Sequence, residues 1–307
     1  MNQRSIIIGA VAISLAAIMW GLDGVVLTPR LYNLNVGFVV FFLHALPFLI
    51  MQPFLYRHYR HLLTFTRRDY LVIFMIALFG GAIGTLSIVK ALFLINFKEL
   101  SIVVLLQKLQ PIFAITLAAI LLKERLSKYF AIWATIAILG GYFLTFGLAG
   151  PAIDTGSNTG LSAMYALIAA ISFGSSTVFS KMILQRYHFA TATFYRYGFT
   201  TLIMLVWVLI TGKINQFREM DEMNWMIFLI IAFTTGSGAI FLYYYGLNHV
   251  KAMLAVMCEL FFPISTIIFD YLVNGTRLSL VQWLSAALMV VAIININRLQ
   301  TFQNSSS

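Results

Sequence analysis

The chain has 307 residues, 61% of them hydrophobic and only 10% charged. Soluble domains carry roughly 25% charged residues, and blocks of about 20 apolar residues match a hydrocarbon layer ~30 Å thick. The composition therefore excludes a soluble globular domain, the absence of strand alternation argues against a membrane β-barrel, and the expected class is a polytopic α-helical membrane protein.

The first residues, "MNQR" followed by an apolar run from Ser5, resemble a secretory leader. The run continues past Trp20, Asp23 and Val26 without a clear small-x-small cleavage site, so it reads as a retained first helix near 6–28. Nine more spans follow near 37–56, 70–91, 100–121, 129–149, 162–184, 190–211, 225–246, 252–273 and 280–297. The longest polar connection is "GPAIDTGSNTG", Gly150 to Gly160. It divides the chain into a five-helix repeat over 1–149, an outer linker over 150–161, a second five-helix repeat over 162–298, and a flexible tail over 299–307.

The net charge of +10 follows the loops. With the N-terminus inside, inner segments hold 12 cations: Arg4, Arg57, Arg60, Arg67, Arg68, Lys123, Arg125, Lys128, Lys181, Arg186, Lys251 and Arg298. Outer segments hold 5: Arg30, Lys98, Lys213, Arg218 and Arg277. This bias puts both termini in the cytoplasm of a multi-pass inner-membrane protein. Anionic lipid headgroups account for the basic loop "RHYRHLLTFTRR", with no need for nucleic acid as a partner.

A repeat appears at a shift of 152 residues, which lays "LINFKELSIVVLLQKLQPI" (94–112) over "GLNHVKAMLAVMCELFFPI" (246–264). Pro111 falls on Pro263, and Gly84 falls on Gly236 within the small-residue patches "GGAIG" and "GSGA". An odd number of helices per repeat makes the second half insert upside down, and inverted repeats are a signature of carriers with a site near the midplane.

Proline removes the hydrogen bond to the carbonyl four residues earlier, so Pro111 and Pro263 are expected to free the carbonyls of Gln107 and Glu259. Lys108 is the one cation between Ser101 and Leu122, and Gln110 adds another polar group beside it. A mid-membrane charge costs about 2.5–3.5 kcal/mol, a cost that pairing offsets. Lys108 and Glu259 thus read either as ligand contacts facing a central cavity or as a structural bridge. Asp23 either faces that cavity or caps a helix break at Gly21 and Gly24. Trp20, Tyr243 and Tyr244 either line the cavity or pack and anchor the helices. Arg196, which the repeat aligns with His44, reads as an interhelical anchor or a substrate contact. Lys90 and Lys181 lie near span ends, where long stems snorkel to the headgroups. The single cysteine, Cys258, excludes an internal disulfide and a cysteine-based zinc site. No phosphate loop, GxSxG elbow, HExxH or dinucleotide fingerprint occurs, and no cofactor is expected.

With "QPIFAITLAAILLKERLS" (110–127) and its second copy "FPISTIIFDYLVNGTRLS" (262–279), the chain resembles the EamA-like branch of the drug/metabolite transporter superfamily. The resemblance implies ten helices in two inverted halves, and a cavity formed mainly by helices 1, 3, 4, 6, 8 and 9, with Arg196 peripheral. The signature glutamate is present at Glu124 but is Thr276 in the second copy, and His44 stands where an arginine is expected. The reading is a carrier that exports a small zwitterionic metabolite, such as an amino acid, by alternating access, with Lys108 meeting the carboxylate and Glu259 the ammonium. The alternative is an exporter of organic cations coupled to protons through Glu259. A membrane sensor or intramembrane enzyme is a third class, against which stands the lack of a convergent nucleophile and base. The oligomeric state is open between monomer and homodimer.

Overall fold

The computed structural model describes residues 3–95, 103, 106–107, 109–124, 127–148, 158–275 and 279–305, and the secondary structure of these residues is entirely helical. In chain order the apolar helices are α1 (Gln3–Leu31), α2 (Val36–Leu63), α3 (Arg67–Leu94), α4 (Gln110–Leu121), α5 (Lys128–Leu144), α6 (Gly160–Leu184), α7 (Phe189–Ile210), α8 (Glu222–His249), α9 (Ala252–Val273) and α10 (Leu280–Ile296). Seven of them are long and apolar enough to cross a membrane, and α4, α5 and α10 are shorter. The protein is an all-α, multi-pass membrane protein. The α10 helix continues to Ser305, beyond residue 298 where the sequence reading places a flexible tail.

The helices are apolar all round because each has lipid on one side and protein on the other. In α1, Ala10, Ile13, Ala16 and Ala17 are buried, whereas Ile7, Val11 and Leu15 are about half exposed. Packing follows the small residues. α1 lies against α8 and α9; α6 lies against α3 and α4; α2 pairs with α7, α4 with α9, and α5 with α10. At the α1–α8 crossing a β-carbon on Gly9 would stand 2.8 Å from the Gly246 carbonyl oxygen, so only glycine allows this approach.

Three helices each contain a π-helical segment: Asp23–Leu27 in α1, Ile76–Ile83 in α3 and Ala232–Gly236 in α8. In a π-turn the carbonyl five residues back closes on the chain. A β-carbon on Gly84 would lie 2.5 Å from the Phe79 oxygen, and one on Gly236 would lie 2.8 Å from the Ile231 oxygen. These two glycines are partners under the 152-residue shift, and the widened turns explain the small residues at both.

α9 is two helical pieces, Ala252–Cys258 and Phe261–Asn274, joined by a turn at Glu259 and Leu260. Pro263 sits in the first turn of the second piece, and Pro111 in the first turn of α4, where a missing N–H leaves no internal bond unmade. The expectation of a freed Glu259 carbonyl is corrected here, because that oxygen accepts from the Phe262 N–H at 2.9 Å. The first piece of α9 is capped from another helix's end: the Glu124 carboxylate accepts the N–H groups of Ala252 (2.8 Å) and Met253 (3.0 Å).

Side chains also tie the connections at each end of the bundle. At the end carrying Arg57–Arg68, Thr66 and Asp69 form a capping box on α3. Asp69 also pairs with Arg186 and accepts from the Tyr187 hydroxyl at 3.0 Å, both from the α6–α7 connection. At the opposite end Asp221 and Asn224 form a capping box on α8. There the Asn33 and Asn224 amides bond each other at 3.1 Å, and the Asn35 N–H donates to the Gln216 side chain at 2.6 Å.

Candidate central cavity

A cavity of about 280 Å³ lies between the helices, with its wall drawn from α1–α4 and α6–α9. Each helix offers one stripe. Trp20, Asp23 and Gly24 come from α1; Thr85, Ile88, Val89 and Leu92 from α3; Phe173, Ser176, Thr177 and Ser180 from α6. The α3 and α6 sets are spaced i, i+3, i+4, i+7, the period that places side chains on one helical face. His44 of α2, Arg196 and Tyr197 of α7, Thr235, Gly236 and Tyr243 of α8, and Glu259 and Pro263 of α9 complete most of the circuit, with Gln107, Gln110 and Pro111 beside them.

Glu259 is the polar centre. One carboxylate oxygen accepts from Gln110 Nε2 at 2.6 Å; the other accepts from the Tyr243 hydroxyl at 2.8 Å and has Thr177 Oγ1 nearby at 3.5 Å. Thr177 and Tyr243 bond each other at 2.8 Å, and the Tyr243 ring leans on Trp20 with centroids 5.4 Å apart. The turn that interrupts α9 is what delivers Glu259 to this position. Asp23, in the π-segment of α1, accepts from Thr28 Oγ1 at 3.2 Å.

Arg196 is buried and held between two helices. One terminal nitrogen donates to the Gly80 carbonyl at 3.0 Å and the other to the Tyr244 hydroxyl at 3.1 Å, with the guanidinium 5.7 Å from the centre of the Tyr244 ring. It is thus an interhelical anchor that also lines the cavity, rather than a peripheral residue. His44, its repeat partner, bonds within its own helix: Nδ1 donates to the Val40 carbonyl at 2.8 Å.

The other sequence candidates fall as follows. Tyr244 is off the cavity wall, fully buried behind Arg196 and bonded to Ser180 at 2.8 Å. Gly84 belongs to the π-turn of α3 and is not on the wall. Lys181 does not snorkel: it is buried, and its ammonium donates to the Leu247 (2.8 Å) and Asn248 (3.2 Å) carbonyls at the end of α8. Lys108 lies outside the described residues. The cavity hydroxyls of Ser176, Thr177 and Thr235 were not singled out from the sequence; the α6 stripe from Phe173 to Ser180 was the available signal. Among the described residues no group of three His, Cys, Asp or Glu side chains gathers to hold a metal ion.

A model of the EamA-like transporter family matches this chain twice, over residues 7–146 and 160–298. The chain is 52% identical, over 292 residues, to the "Riboflavin transporter ImpX" of Fusobacterium nucleatum subsp. nucleatum, a match covering 95% of this chain and 98% of that protein. It is 27% identical over 236 residues to the "Uncharacterized transporter sll1164" of Synechocystis sp., covering 75% of this chain and 66% of that one. A solved crystal structure superposes with a TM-score of 0.68 over 98% of both chains at 15% identity, a likeness of fold alone. The chain belongs to the EamA-like transporter family of the drug/metabolite transporter superfamily, and is a small-molecule transporter rather than an enzyme.

Proposed function

We propose that this protein carries a flat, uncharged heteroaromatic metabolite of the riboflavin class across the inner membrane, through the central cavity and by alternating access. The observation that carries this reading is the 52% identity, along nearly the whole of both chains, to a protein named as a riboflavin transporter. The chemistry of the wall supports it. Aromatic faces at Trp20, Tyr197 and Tyr243 suit a planar ring system, and hydroxyls and amides at Ser176, Thr177, Gln107 and Gln110 suit a polyhydroxylated chain and ring carbonyls. Glu259 already accepts from Gln110 and Tyr243, which favours a role in shaping the wall over one as an ammonium receptor.

The carrier framework is ten helices in two inverted five-helix halves, 1–149 and 162–298, with both termini cytoplasmic. Two features support it. The family model matches twice, and the packing pairs exchange under the 152-residue shift: α1 with α8 corresponds to α6 with α3, and α1 with α9 to α6 with α4. A zwitterionic solute such as an amino acid remains the second reading, favoured by the presence of one guanidinium, Arg196, and two carboxylates on the same wall.

Purified protein in liposomes tests the choice. Labelled riboflavin should cross faster than in empty vesicles, while amino acids and organic cations should not. Protein-dependent amino-acid flux without riboflavin flux would install the second reading. The same vesicles, loaded or unloaded, decide whether the direction is the export read from the sequence. Stimulation by a pH gradient that disappears in Glu259→Gln would assign proton coupling to that carboxylate.

A further inference from the structure

The two carboxylates of the cavity wall are engaged unequally. Glu259 accepts from Gln110 and Tyr243, whereas among the described residues Asp23 has one partner, the Thr28 hydroxyl at 3.2 Å. A carboxylate offers about four lone-pair sites, so most of the acceptor capacity of Asp23 is unspent. Asp23 is partly exposed and lies on the wall, and its charge acts on Tyr197 of α7, another wall residue. It is an acceptor that a molecule in the cavity can reach.

The glycines of the wall differ in the same way. A β-carbon on Gly236 would crowd the Ile231 carbonyl oxygen at 2.8 Å, but one on Gly24 would meet no atom within 4 Å. Gly24 does not have a positive φ. Neither helix packing nor backbone strain therefore calls for glycine at 24, although glycine weakens a helix relative to alanine. Gly24 is on the wall and partly exposed, so what its missing side chain leaves free is cavity space. Trp20, Asp23 and Gly24 are spaced i, i+3, i+4, which sets an aromatic ring, an unspent acceptor and a bare stretch of backbone on one face of α1.

We propose that this face of α1 is the ring subsite of the carrier: the planar ring of the substrate lies against the bare backbone at Gly24 beside Trp20, and the Asp23 carboxylate accepts the imide N–H of the ring. An oxidised flavin ring carries a single N–H, the one in its pyrimidinedione, and its other polar ring atoms are acceptors. A wall acceptor beside the ring space therefore fixes which edge of the ring turns toward α1. This assignment rests on the riboflavin reading and makes Asp23 and Gly24 specificity-determining residues.

The test is binding to the purified protein, read by quenching of flavin fluorescence, with three probes: riboflavin, riboflavin methylated on the imide nitrogen, and lumiflavin, which keeps the ring and lacks the ribityl chain. The wild type should prefer riboflavin to the methylated form. Asp23→Ala should weaken riboflavin by about tenfold or more, since a charge-assisted bond is lost, and bring that preference toward one. A merely structural Asp23 would weaken both ligands alike, and an unchanged preference overturns the proposal while the riboflavin reading stands. If Asp23→Ala fails to fold, Asp23→Asn, which keeps the shape and accepts more weakly, decides by the same ratio. Gly24→Ala adds a methyl group that touches nothing in the protein, so its melting temperature should hold while riboflavin and lumiflavin both weaken severalfold. Unchanged binding of both, or a loss confined to riboflavin, which would place the ribityl chain there instead of the ring, overturns the proposal. A wild type that binds no flavin at all removes the riboflavin reading and this assignment with it.

Discussion

Single residues matter most where a polar group must be satisfied inside an apolar bundle. Tyr243 donates to Glu259 while its ring rests on Trp20. Tyr243→Phe keeps the ring and deletes the donor, leaving a buried carboxylate short of one bond. The expected loss is about 1.5–3 kcal/mol of stability, measured by thermal unfolding in detergent; an unchanged melting temperature would show that Glu259 does not depend on that bond. Gly80→Ala should act on binding, because its new methyl group would press on Ser176 and Arg196 together. Riboflavin affinity should fall severalfold with the helices intact by circular dichroism. The acidic and amide candidates, Asp23, Gln107, Gln110 and Glu259, were legible in the sequence because polar side chains are conspicuous in apolar runs. Ser176 and Thr235 were not, because hydroxyls are ordinary in membrane helices, where they bond to a carbonyl of their own helix, as Thr116 does to Ile112 at 2.8 Å.

Elements are shaped here by breaks as much as by regular turns. Helix existence followed from apolar run length alone, whereas the π-segments did not: a widened turn has no composition of its own beyond the glycines that admit it. Pro263 shows how a correct location can carry a wrong mechanism. It marks a break, but the break is a helix restart, since the Phe262 N–H has already taken the Glu259 carbonyl. Pro263→Ala should therefore cost little stability, within about 1 kcal/mol. It should lower flux more clearly, because a restored N–H at 263 lets the helix run through Glu259 and rotate it from the wall. Equal flux with equal stability would reduce Pro263 to packing. At the α1–α8 crossing, Gly246→Ala places a methyl group 2.5 Å from the Gly9 carbonyl oxygen, and overpacking of this kind costs about 1–3 kcal/mol. Unfolding measurements on Gly246→Ala, compared with Gly212→Ala as a different case of left-handed backbone, separate crowding from conformational strain, since Gly212 meets no neighbour and has φ +66°.

At the scale of the whole molecule, the prediction is topological. Cys258 is buried, so its replacement by alanine leaves a background for single engineered cysteines. Thiol labels in intact cells should reach the 213–223 connection from outside and the Arg57–Arg68 connection only from inside. Labelling of both from one side would defeat the inverted arrangement. The family model matches the chain twice, and in the sequence that doubling is visible as spacing at a shift of 152 residues, where identity is sparse. The placement of Lys181 was less readable: a cation near a span end looks the same in sequence whether it meets headgroups or the carbonyl end of another helix.

The two end junctions occupy equivalent places but are made of different materials. One is a carboxylate–guanidinium contact with Arg186 half exposed; the other is a set of neutral amides. Dissolved electrolyte weakens only the first, since screening acts on charges and not on amide hydrogen bonds. The fastening at the basic end should therefore loosen as salt rises while the opposite end stays indifferent. Hydrogen–deuterium exchange across 0.05–0.5 M salt, about 14 to 4 Å in screening length, should accelerate in the α6–α7 connection and not in the α1–α2 connection. On this expectation the two ends of the bundle answer their surroundings unequally, and only the basic end follows the ionic strength of the medium it meets.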